Sequence, residues 1–115
     1  MRRGDVYLAS LSPRTGSEQQ GARPIIVVSH DGFNETPGWR SVIVVPISTS
    51  AAQARRGPTV VLLPAGTGGI PRDSAALCHQ VTTLDRSKLT VRLGELPQST
   101  LDDVSEALKI AQGIT

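Results

Sequence analysis

Three β-branched runs dominate this chain. They are "RPIIVVS" (residues 23–29), "SVIVVPIS" (41–48) and "TVVLLP" (59–64). Each is too short for a typical helix and rich in residues whose stiff side chains suit a pleated sheet. Clusters of Gly, Pro, Ser and Asn separate them. "GDVYLAS" (4–10), with Val6 and Leu8 alternating with Tyr7 and Ala9, precedes them, and weaker strand candidates follow at 74–83 and 89–95. Frequent short strands with turn signals between them indicate a small barrel or sandwich. Pro24 must stand near its strand's start, because proline cannot donate to a sheet ladder.

The pattern changes after Pro97. Leu101, Val104, Leu108 and Ala111 recur at helical spacing along "STLDDVSEALKIAQG". Acidic residues crowd the early turns, Lys109 lies near the last, and Gly113 fits the position just past a helix end. The fold class expected is mostly β with a C-terminal helix: a small barrel of antiparallel strands. At 115 residues the chain is read as one domain, 1–115.

The lone cysteine excludes an internal disulfide. No apolar run is long enough for a membrane helix, and "MRRGDVYLAS" does not read as a secretion signal. A cytoplasmic location is expected. Net charge is only +2, but residues 1–96 hold eleven of the twelve bases against seven of the ten acids. Ten of those twelve bases are Arg, which suits bidentate contact with phosphate. A nucleic-acid partner and a plain solvated surface fit this charge about equally.

"ALCHQ" (76–80) sets Cys78 beside His79. On a strand over 74–81, neighbouring side chains point to opposite faces. Cys78 is therefore expected as core, and His79 as a site or rim residue. His30, His79 and one Cys, without metal-motif spacing, do not make a closed zinc site. "PAGTGGIP" (64–71) lacks the G-K-[ST] ending of a phosphate loop and reads as a glycine-rich connection. Arg23 is either a salt-bridge partner at a strand end or an anion ligand. Ser48 and Thr49 end the second strand. They either satisfy turn backbone or hold a phosphate oxygen beside Arg23, if the two strands lie together. Phe33 and Trp39 share one loop, where anchoring on the core is favoured over base stacking.

Taken in order, "RRGDVYLASLSP", "GSEQQGARPIIVVS", "VIVVPIS", "LLPAG", "GGIPRDSAALCHQVTTLD" and "RLGEL" resemble the MazF/PemK-type toxin endoribonucleases. The likeness runs nearly end to end. It implies an SH3-like barrel with a C-terminal helix, a homodimer, and a cognate antitoxin that blocks the RNA groove. It also implies metal-independent, sequence-specific cutting of single-stranded RNA, with no cofactor. Arg23 corresponds to the family's motif arginine, Ser48 to its threonine, and Glu18 to the glutamate of the G-S-E-Q loop. Gln19, Gln20, Thr49 and Gln80 are then expected RNA contacts. Two departures stand out. Ser48 replaces threonine but keeps the hydroxyl. His79 stands where relatives often carry Asp or Glu, so it is a candidate acid or base. The alternative is a non-catalytic RNA- or antitoxin-binding module of the same fold.

Overall fold

The longest strand organises the sheet. The computed structural model describes residues 1–11, 21–55 and 57–114. Its strands are β1 (Asp5–Leu11), β2 (Gly21–Val27), β3 (Ser41–Ser48), β4 (Val60–Leu63), β5 (Ser74–Leu77), β6 (Thr82–Asp85) and β7 (Leu89–Glu95). Among the described residues there are also three α-helices, α1 (Asp31–Asn34), α2 (Ala51–Ala54) and α3 (Gln98–Ala111), and three short 3₁₀ turns. All the pairings are antiparallel, in the order β4-β5-β3-β2-β1-β7. On one side β3 meets β2. On the other, its first half pairs with β6 (Val42↔Leu84) and its end with β5 (Ser48↔Ala75).

The expected fold class therefore holds, but "barrel" describes it loosely. Among the described residues the sheet is open, with β4 and β7 at the two ends of the path. The continuous apolar run of β2 follows from burial on both faces. Ile25 and Val27 pack into one cluster with Ala9, Val42 and Val44. Ile26, between them, packs into the other with Val6, Val45, Ile47 and α3. Successive strand residues alternate faces, so two cores require both faces to be apolar. Each such Val or Ile contributes about 1.5–3 kcal/mol of burial.

The segment over 74–83 departs from expectation. It is not one strand: β5 stops at Leu77, Cys78–Gln80 form a 3₁₀ turn, and β6 starts at Thr82. The break lets the chain leave β3's end and rejoin its beginning. Pro24 lies deeper in β2 than expected, as its fourth residue, because the strand starts at Gly21. The β3 ladder begins only at Ile25↔Pro46, so Pro24 has a strand neighbour on one side alone. The 89–95 strand is found as expected.

Two loops hold short helices that periodicity could not reveal. His30 caps α1, its Nδ1 accepting from the Gly32 N–H at 2.8 Å. Asn34 is buried and donates to the Ser29 carbonyl at 2.8 Å. Arg86 donates to the carbonyls of Asn34 (2.8 Å) and Trp39 (3.0 Å). Phe33 and Trp39 do not anchor this loop, contrary to expectation. Their rings stack on each other at 4.8 Å and stay about half exposed, so Asn34 and Arg86 hold the loop instead. In α3, Leu101, Val104 and Leu108 are buried as expected, joined by Ala107; Ala111 is only half-buried. Gly113, at φ 73°, donates to the Ile110 carbonyl while the Ile114 N–H reaches Lys109, which closes a Schellman motif.

Candidate functional site

The register of β2 on β3 builds the site. Ile25 faces Pro46 and Val27 faces Val44. The ladder ends at Ile25 and Pro46; the same register extended two residues would bring Arg23 opposite Ser48. Both line a cleft of about 300 Å³, with Thr49, Ser50 and Ser74. The condition posed for Arg23 and Ser48, that their strands lie together, is met.

Arg23 is half-buried and, among the described residues, makes no ion pair or side-chain hydrogen bond. The salt-bridge reading thus finds no partner there. A guanidinium in that setting favours a planar anion. The Ser48 hydroxyl accepts from the Ser50 N–H at 3.0 Å. Its own proton stays available, so one hydroxyl can both fix the turn and donate to an oxyanion. Thr49 belongs to the same wall. Ser50 caps α2, accepting from the Gln53 N–H at 3.3 Å.

A second cleft, about 390 Å³, opens directly beside the first. The two share Ser48, Thr49, Ser50 and Ser74. The far wall is β4 and α2. The order of residues along the chain gave no sign of this neighbour, because it depends on β4 pairing with β5.

His79 and Gln80 line neither cleft. Ser48 pairs with Ala75, and β5 runs from there toward Leu77 before the 3₁₀ turn. The His79 Nδ1 sits 3.1 Å from the Thr59 hydroxyl, and its Nε2 is buried with no partner among the described residues. Glu18, Gln19 and Gln20 lie outside the described residues.

Cys78 and His79 do not form a dyad, although not for the strand reason expected. In a 3₁₀ turn, successive side chains are about 120° apart. Cys78 enters the α3-side core while His79 turns to Thr59. Burial pushes the Cys78 thiol up to about 11. Its folded pKa lies above the unfolded value, so its contribution to stability is complete below about pH 9 and is lost as pH rises through about 11. At about pH 8.5, iodoacetamide should label the native protein far more slowly than the denatured chain. Equal rates would place the thiol at the surface. Among the described residues, no three of His, Cys, Asp and Glu gather as metal ligands. No helix there is long and apolar enough to cross a membrane.

Residues 2–111 match the model of the PemK-like, MazF-like toxin of type II toxin–antitoxin systems. The chain belongs to this family. It is 39% identical over 111 residues to endoribonuclease EndoA of Bacillus subtilis, covering 96% of this chain and 93% of that protein. It is 35% identical over 114 residues to endoribonuclease MazF of Staphylococcus saprophyticus, covering 99% and 92%. Among solved structures it is similar to an endoribonuclease in complex with its cognate antitoxin from Mycobacterial species. There the TM-score is 0.78 at 28% identity, over 100% of this chain and 97% of the other. A MazE–MazF structure from Deinococcus radiodurans gives the same TM-score, identity and coverage. The fold of this chain is thus shared with these solved structures.

Proposed function

We propose that this MazF-like chain is a toxin endoribonuclease that cuts single-stranded RNA at a short sequence in the Arg23–Ser48 cleft. The observation that carries it is Arg23. A half-buried arginine without a partner among the described residues shares a cleft with Ser48, in a chain whose curated relatives are endoribonucleases.

The substrate's own 2′-hydroxyl attacks the adjacent phosphorus. A P–O bond forms to the 2′-oxygen as the bond to the 5′-oxygen breaks. The products are a 2′,3′-cyclic phosphate and a 5′-hydroxyl. Arg23 offsets the charge that develops on the non-bridging oxygens, and Ser48 donates to one of them. One proton must leave the 2′-oxygen and one must reach the 5′-oxygen. Glu18 is the proposed base, on the likeness of the G-S-E-Q loop. His79, whose Nδ1 lies 3.1 Å from the Thr59 hydroxyl, is the other proposed participant in proton transfer. Gln19, Gln20 and Thr49 are proposed RNA contacts. A homodimer, an antitoxin that covers the cleft, and a cytoplasmic setting complete the reading.

Pure protein incubated with a long RNA in EDTA should produce fragments that begin at one sequence motif and end in 2′,3′-cyclic phosphate. Intact RNA at every protein concentration would overturn the assignment. RNA bound but uncut would leave the non-catalytic module as the reading.

A further inference from the structure

The second cleft is the unassigned feature nearest the chemistry. It shares four residues with the Arg23 cleft, so whatever holds a phosphate beside Ser48 reaches it without a gap. Its wall is aliphatic: Ala51 and Ala54 from α2, Leu62 from β4, and Pro64 beyond it. Leu62 is 65% exposed, beside the buried Leu63, on a strand at the end of the sheet path. A flat π face can rest on such a wall, and every nucleobase has one.

One charged group lines the cleft, Asp73. Its Oδ1 accepts from the Ala65 N–H at 2.8 Å, which holds the carboxyl in place. The second oxygen makes no hydrogen bond among the described residues. An ionised carboxylate only accepts. It therefore complements a base edge that carries an amino group better than uracil, whose single N3–H donor is flanked by two carbonyls that a carboxylate repels.

We infer that this cleft is a specificity pocket for the base beside the scissile phosphate, with Asp73 selecting an amino-bearing base over uracil. The inference rests on the proposed ribonuclease reading and deepens it.

Asp73→Asn separates the two. The amide keeps an oxygen for the Ala65 N–H and turns the free acceptor into a donor. Cleavage sites of the wild type and the variant are mapped on one long RNA of mixed sequence. The variant should still cut, and still end in cyclic phosphate. Its preference should change at a single position next to the cut, where uracil gains about tenfold against amino-bearing bases. An unchanged motif in a folded variant overturns the pocket and leaves the nuclease standing. A wild type that does not cut overturns the nuclease instead. Ala51→Phe gives an independent arm should Asp73→Asn not fold. Its ring would fill the pocket from an exposed helix position. KM for the full motif should rise about tenfold or more with the motif's other positions still read, and an unaltered KM would also overturn the pocket.

Discussion

Arg23→Ala should lower RNA cleavage by about 10²–10³-fold, the cost typical of removing one preorganised charge stabiliser. Its melting temperature should barely move. Arg23 holds no ion pair or side-chain hydrogen bond among the described residues, so its loss orphans no described partner. The change in stability should stay within about 1 kcal/mol. Arg23→Lys separates charge from shape. The ammonium keeps the charge but not the planar fork, so it should recover only part of the rate. Ser48→Ala should be milder in chemistry but should also leave the Ser50 N–H without its acceptor. Cleavage by Arg23→Ala within tenfold of wild type would remove the guanidinium from the reaction. A matching fall in stability would make it a structural residue.

The simple period of a strand made Arg23 and Ser48 neighbours on condition that their strands pair, and the family resemblance supplied their roles. Once "RPIIVV" and "VIVVPIS" are neighbours, both motif residues lie at matching ends, and the observed register adds only the confirmation that 25 meets 46. β3 was legible to the residue, Ser41–Ser48, because its apolar run has clear polar flanks. The stretch 74–83 was not. Ala75, Ala76, Leu77 and Cys78 are all buried, and such a run looks the same whether it continues straight or turns. Nothing local announces that the chain must cross from β3's end to its beginning. His79 is a candidate acid or base by the family resemblance, where relatives often carry a carboxylate, and not by the strand expected over 74–81. Its position relative to Ser48 depends on β5 ending at Leu77, a tertiary fact. The second cleft was out of reach for a similar reason. Asp73, Leu62 and Ala51 are separated along the chain, and they meet only through the β4–β5 pairing and α2.

Gly69→Ala should be the most damaging single-methyl change in the described fold, costing about 3 kcal/mol or more. The glycines of "PAGTGGIP" fail as a phosphate cradle, yet the run has a physical purpose. Thr67–Gly69 form a 3₁₀ turn laid backbone-to-backbone on β7. A Cβ at Gly69 would meet the Leu93 carbonyl oxygen at 2.2 Å, and the φ of +84° is itself unfavourable for an L side chain. From the other side, a Cβ at Gly94 would lie 2.7 Å from the Gly68 carbonyl oxygen. Neither obstacle is a flexible side chain, so one of the two backbones would have to move. That movement would open the core where Ile70, Val6 and Leu96 pack. Gly66→Ala is the control. It shares the positive φ, at +94°, but has open space around its added carbon. It should cost only the backbone strain, about 1–2 kcal/mol. Denaturant unfolding of the two variants isolates the close approach from the dihedral. If they lose equal stability, the contact between the turn and β7 is not what these glycines are for. If Gly69→Ala falls well below Gly66→Ala, the run is explained without any ligand.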